Sequence, residues 1–168
     1  KELVSSGLSH SGSCPGLILR DRACLAKSLK PPELEVKMVG SVEEISDWLV
    51  PFSQGFEISS AARMHFEIYI KKNLALSPCE AWFVGYLNGE PVTTSYSLTN
   101  SGITMLYNVA TIPEFRKLGY ARWTVERTLD CAWQNFNLPI GLYASESGLS
   151  LYRKMGFEHV YELEEFEP

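Results

Sequence analysis

The stretch from Tyr107 to Ala121 concentrates the residues whose types and spacing could do chemistry. It reads as a strand, a turn at Pro113, and then Arg116-x-x-Gly119-x-Ala121 at the opening of a long helix. The first N–H groups of a helix have no intrahelical acceptor, and the helix dipole adds partial positive charge there. Gly119 lets a ligand come close to the backbone, and the small Ala121 leaves room beside it. Arg116, Lys117 and Arg122 add positive charge to a chain that is acidic as a whole. This is the chemistry of holding an anion, and a pyrophosphate would fit it. The same spacing also suits a plain strand-to-helix turn with solvated basic residues, and spacing alone does not choose. A Rossmann or P-loop reading is poorer, since neither G-x-G-x-x-G nor G-K-[ST] occurs.

The elements that must position this stretch follow from hydrophobic period. Leu34 to Val39 alternates apolar and polar, a strand pattern. Ser41 and Glu44 form a capping box, and Val42, Ile45, Trp48, Leu49 and Phe52 share one helical face. Pro51 is expected to bend or end that helix. A second helix starts at Ser59 or Ser60 and reaches about Asn73. Cys79 to Leu87, Pro91 to Thr99 and Ile103 to Thr111 read as strands joined by turns at Asn88-Gly89 and Asn100-Ser101-Gly102. They predict an antiparallel meander. Gly119 to Asn137 is a helix with Ala121, Val125, Leu129, Ala132, Trp133 and Phe136 in one stripe, stopped by Leu138-Pro139. Ile140 to Ala144 is a short strand and Gly148 to Met155 a short helix, with Gly156-Phe157 as its C-terminal cap. His159 to Phe166 is the last strand. A helix between the Ile103 and Ile140 strands implies a parallel crossover in a mixed sheet. The fold expected is α/β (α+β mixed), a three-layer domain.

Composition narrows the function classes. The chain has 168 residues, with a net charge of -5. One domain of that size buries roughly 70% of its unfolded surface and needs no staple. The acidic balance argues against nucleic acid, which is held by basic surface. No apolar run approaches the ~18 residues of a membrane span, so no membrane partner is expected. The cysteines, Cys14, Cys24, Cys79 and Cys131, lack C-x-x-C spacing. They read as reduced thiols of a cytoplasmic protein, with Cys79 and Cys131 as small core residues. His10, Cys14 and Cys24 are irregularly spaced for a metal, and no metal is expected. Residues 1–33, rich in Ser, Gly and Pro up to Gly16 and broken at Lys30-Pro31-Pro32, read as a leader or linker. The chain starts at Lys1, which fits the tail of a preceding N-terminal portion; the domain itself is expected over 34–168.

Two motifs together carry a resemblance. Arg116-Lys117-Leu118-Gly119-Tyr120-Ala121 is similar to the acetyl-CoA pyrophosphate motif of the GNAT superfamily of N-acetyltransferases, Arg/Gln-x-x-Gly-x-Gly/Ala. Leu142 to Phe157, with Leu151-Tyr152-Arg153-Lys154-Met155-Gly156-Phe157, resembles the second family motif, a strand and then Leu-Tyr-x-Lys-x-Gly-Phe. The resemblance covers about Leu34 to Phe166. It departs at Leu118, often Gly or Arg in the family, and at Ala121, where Ala commonly replaces Gly. It implies a mixed, mostly antiparallel central sheet flanked by helices on both faces. It implies acetyl-CoA as co-substrate and transfer of the acetyl group, in a ternary complex, to a primary amine of a small molecule or peptide. Arg116, Lys117, Leu118, Gly119, Tyr120 and Ala121 would then bind the cofactor. A main-chain N–H of Val109 or Ala110 would face the acyl oxygen. Ser147, with Ser145, would meet the pantetheine arm or merely cap the helix. Tyr152 matches the family's general-acid tyrosine, and a phenol with a pKa near 10 can donate at neutral pH.

The general base is left open among Glu57, His65, Glu67, Tyr107 and Glu146. The aromatic residues Trp48, Phe52, Phe56, Phe66, Tyr69 and Trp82 are read first as core. The acidic balance weakly prefers a cationic acceptor. A homodimer is left open. The alternative function is a catalytically degenerate domain that binds CoA or a protein partner without turnover.

Overall fold

Ser41 opens the first helix as its spacing requires. Its hydroxyl accepts from Glu44 N at 3.4 Å, and the Glu44 carboxylate reaches back to Gly40 N at 2.7 Å. A computed structural model describes residues 7–74 and 77–168. In chain order it has β1 (Ser9–Leu19), β2 (Leu34–Met38), α1 (Val42–Gly55), α2 (Ser60–Leu74), β3 (Glu80–Leu87), β4 (Glu90–Asn100) and β5 (Ile103–Thr111). Then follow α3 (Tyr120–Asn135), β6 (Ile140–Tyr143), α4 (Glu146–Met155) and β7 (Glu158–Glu167). Single 3-10 turns occupy Arg22–Cys24 and Pro113–Phe115.

The strands form one sheet in the order β2-β3-β4-β5-β6-β1-β7. Only β5 and β6 pair in parallel; the other neighbours are antiparallel. Asn88 and Gly89 both take positive φ, 51° and 87°, as the β3–β4 hairpin demands. On one face, Ile45, Trp48, Leu49 and Phe52 of α1 and Ile70 of α2 pack on Trp82, Val84 and Tyr96. On the other face, Val125, Leu129 and Trp133 of α3 and Tyr152 and Met155 of α4 pack on Leu17, Leu19, Leu106, Ile140 and Leu142. The mixed, mostly antiparallel sheet with helices on both faces is therefore the fold observed.

Three expectations are corrected. Helix α1 runs through Pro51 to Gly55; Pro51 is buried inside it and does not end it. Cys79 and Cys131 are only half-buried. The leader is the larger change. Residues 9–19 of it form β1, which lies between β6 and the edge strand β7 and supplies Leu17 and Leu19 to the core. Residue 34 therefore does not mark the start of the folded unit. A Pro/Ser/Gly-rich stretch hid the strand, since alternation begins only near Gly16. Residues 1–6 of that leader lie outside the described residues.

The segment after β1 is also fastened. Asp21 caps the 3-10 turn through Ala23 N at 2.8 Å, and Arg22 pairs with Asp130 of α3 at 2.8 Å. Glu126, 3% exposed, accepts from Ser28 N at 2.9 Å and from Arg122 Nε at 3.1 Å. Leu17 is 3% exposed. Leu17→Ala is expected to cost about 2–5 kcal/mol in urea unfolding, the cost of a cavity in a packed core. A change within about 0.5 kcal/mol, the surface range, would mean β1 is only draped on the sheet.

Candidate functional site

β5 and β6 begin side by side and then part. Their parallel pairing covers Thr104↔Ile140 and Met105↔Gly141 only. Yet β5 continues to Thr111 and β6 to Tyr143. The cause is a bulge: Asn108 and Val109 stand opposite the single Ser95 of β4. Asn108 has φ 51°, a conformation asparagine tolerates better than most side chains. A bulge bends its strand and ends pairing. Beyond it the strand end is tied to β4, away from β6. Thr93 Oγ1 donates to the Ala110 carbonyl at 2.9 Å and sits 3.0 Å from Thr111 Oγ1. The result is a wedge-shaped opening with Val109 and Ala110 on one lip.

Helix α3 starts at the end of that lip. Its N-cap is Gly119 in the left-handed region, φ 86°, with no side-chain cap bond. Trp123 N bonds Gly119 O at 3.1 Å, so the N–H groups of Tyr120, Ala121 and Arg122 precede the first helical bond. Lys117 also has positive φ, 64°. A side chain at 119 would meet nothing closer than Pro31 Cγ at 4.0 Å, so space over the backbone is open. The loop is thus a concave set of unpaired donors at a positive helix end, suited to an anion.

The basic residues divide their roles. Arg116 donates through Nε to Thr111 O at 3.1 Å and through its terminal nitrogen to Gly55 O at 2.9 Å. It braces the end of β5 to the end of α1. Arg122 is held by Glu126 and by the Ala26 carbonyl. Lys117 and Leu118 are exposed, and among the described residues Lys117 makes no ion pair. Of the three cations it is the one available to a ligand. Lys117→Ala is expected to weaken binding of a diphosphate-bearing ligand several-fold, about 1 kcal/mol for a partly screened charge, and less at high salt. Titration calorimetry at two ionic strengths checks it; equal affinity at both would remove Lys117 from the site.

Tyr152 lies 7% exposed in the core cluster against which Val109 packs. Its ring meets Phe157 edge-on at 5.7 Å. Burial pushes its phenol pKa well up, so it keeps its proton through the neutral range. Helix α4 begins two residues earlier than its apolar pattern indicates, because Ser145 caps it, accepting from Gly148 N at 3.2 Å. Ser147 is exposed, 3.2 Å from the Ser145 hydroxyl. Of the candidate bases, only Tyr107 is on the sheet beside the opening, next to the bulge. Glu57 is exposed after α1, His65 is exposed on α2, and Glu146 is exposed at the start of α4. Glu67 pairs with Lys71, which lowers its pKa.

His10 instead pairs with Glu164, and Cys14 and Cys24 join no group of three or more metal-ligating side chains among the described residues. No helix among the described residues is long and apolar enough to cross a membrane. A cavity of about 240 Å³ between Cys79, Ser97 and Cys131 lies at the far, C-terminal end of α3. It takes no part in the opening described here.

No family model matches the chain, and no curated protein matches it. Solved structures do. A GCN5-related N-acetyltransferase from Kribbella flavida superposes with a TM-score of 0.72 at 18% identity, covering 94% of this chain and 58% of that one. A second, from Sphaerobacter thermophilus, gives 0.75 at 12% identity, covering 97% of this chain and 53% of that one. A predicted acetyltransferase from Clostridium acetobutylicum, crystallised with acetyl-CoA, gives 0.63 at 18% identity, covering 76% and 91%. The chain thus spans little more than half the length of the first two. At these identities the likeness concerns the backbone. A seven-stranded sheet whose fifth and sixth strands part at a bulge in the fifth, with an open helix end at the parting, makes this chain a bearer of the GNAT fold.

Proposed function

We propose that this chain is an acetyl-CoA-dependent N-acetyltransferase acting on a primary amine. The observation that carries it is the opening between β5 and β6 with the uncapped N-terminus of α3 at its mouth. The neighbour crystallised with acetyl-CoA supports the choice of co-substrate. Acetyl-CoA supplies an acetyl thioester and a diphosphate. Lys117 and the first-turn N–H groups of α3 fit the diphosphate. A main-chain N–H of Val109 or Ala110 donates to the acyl oxygen, where negative charge grows during attack. Tyr152 holds the proton that the departing sulfur takes. The amine must arrive neutral or lose its proton on the way, since its free pKa is about 10.4. Tyr107, beside the bulge, is the candidate nearest that path.

The test pairs two measurements. CoA is expected to raise the melting temperature, and acetyl-CoA thiol release is expected over a panel of amines. No shift with CoA at ~1 mM, far above usual cofactor affinities, overturns the reading. A shift without turnover on any amine points to a domain that binds CoA and does not transfer.

A further inference from the structure

An aromatic row crosses the sheet on the α1/α2 face. Trp82 of β3 stacks on Tyr96 of β4 at 3.9 Å, and Tyr96 on Tyr107 of β5 at 5.9 Å. Across the opening, Tyr143 of β6 stands two residues beyond Gly141 as Tyr107 stands two beyond its partner Met105, so both lie on the same face. Tyr143 and Tyr161 of β7 then meet with ring centroids 6.1 Å apart and hydroxyls 2.6 Å apart. They can do so across β1 because Gly16 lies between them. A Cβ at Gly16 would sit 3.0 Å from the Tyr161 ring.

The two halves of the row differ. Trp82 and Tyr96, under α1 and α2, are 2% and 6% exposed. Tyr107, Tyr143 and Tyr161 are 36%, 39% and 47% exposed, large aromatic rings partly open to solvent. Tyr107 and Tyr143 stand on the two strands that flank the opening, and Tyr161 extends the row behind Tyr143. A recess of about 80 Å³ lined by Ile18, Met105, Val160 and Tyr161 adjoins them. Acidic side chains lie near two of its tyrosines. Glu80 acts on Tyr96. Cys14 acts on Tyr143, and Cys14 is itself flanked by Glu162 and Glu165.

We propose that Tyr107, Tyr143 and Tyr161 form the acceptor platform, and that the acceptor is a cationic primary amine carried on a flat apolar group without a carboxylate. Ring faces attract an ammonium and stack on a flat group. Phenol oxygens accept from an N–H. A carboxylate would be repelled by Glu162 and Glu165, which flank Cys14 beside Tyr143. The catalytic use of the platform rests on the acetyl-transfer reading, but its binding of the amine does not.

Binding is therefore tested first, by calorimetric titration of phenethylamine without CoA, beside phenylalanine, which adds only a carboxylate. Phenethylamine is expected to bind about tenfold or more tighter than phenylalanine. Tyr143→Ala is expected to weaken phenethylamine about tenfold, the scale of one cation–π contact, while Tyr143→Phe keeps most of the affinity. Tyr107→Ala serves as the second variant if Tyr143→Ala fails to fold by circular dichroism. No binding of phenethylamine at ~10 mM, equal binding of phenylalanine, or wild-type affinity in the folded alanine variants would overturn the platform. Selective binding without acetylation when acetyl-CoA is added would instead sink the transferase reading and leave the platform standing.

Discussion

Tyr152→Phe is expected to lower kcat about a hundredfold, the low end of what a positioned proton donor contributes. CoA affinity should stay within about twofold, since the ring and its packing are kept. Tyr152, on α4, is buried in the core cluster against which Val109 of the β5 lip packs. Burial disfavours the phenolate and pushes the pKa up. The sign matters for the pH profile. A raised pKa keeps Tyr152 protonated, so activity should show no alkaline fall due to this residue between about pH 7 and 9. Its folded-state pKa lies above the unfolded value, so its share of stability is present at neutral pH and is lost only above about pH 10. Stopped-flow thiol release with wild type and variant across that range checks both statements. A variant with wild-type kcat would mean that another group or water protonates the sulfur.

Gly156→Ala is expected to cost at least about 3 kcal/mol, combining left-handed strain with a backbone clash. Gly156 has φ 102° and closes α4, with Gly156 N on Arg153 O at 3.1 Å and Phe157 N on Tyr152 O at 3.1 Å. A Cβ there would stand 2.2 Å from the Cys24 carbonyl oxygen. That carbonyl cannot step aside cheaply. Ala26 N is bonded to Met155 O at 3.0 Å, Arg22 to Asp130, and Ser28 N to the buried Glu126. Loosening this contact frees the 20–33 segment from α3 and α4 and lets the helix that carries Tyr152 shift. The variant should melt lower, and its kcat should fall with its stability. Thermal unfolding decides it: a loss below about 1 kcal/mol would show that the segment yields.

Much of this was legible in local pattern. The capping box at Ser41, the Asn88-Gly89 hairpin, the stripe from Ala121 to Trp133 and the Gly156 cap each involve residues within a few positions of one another. Their signals survive in sequence because they are local. The placement of Arg116 and Gly119 at the opening of a helix was legible for the same reason.

Other features had no local signature. Residues 9–19 look like a leader because β1 is held by β6 and β7, more than 120 positions away, and not by its own alternation. Arg116 looked like a ligand cation, yet Gly55 and Thr111 carbonyls take its guanidinium. The aromatic row draws one ring from each of five strands, so no spacing announces it.

The helices, the tight turns and the Gly119 start of α3 are legible in the sequence, since these depend on contacts within one or two turns of chain. The tertiary structure alone decided where β1 goes, that β5 and β6 part after Met105, which cations remain free, and that five strands align their rings. Those outcomes depend on register and on packing between distant segments, where the deciding energy lies in pairings that no single stretch of chain contains.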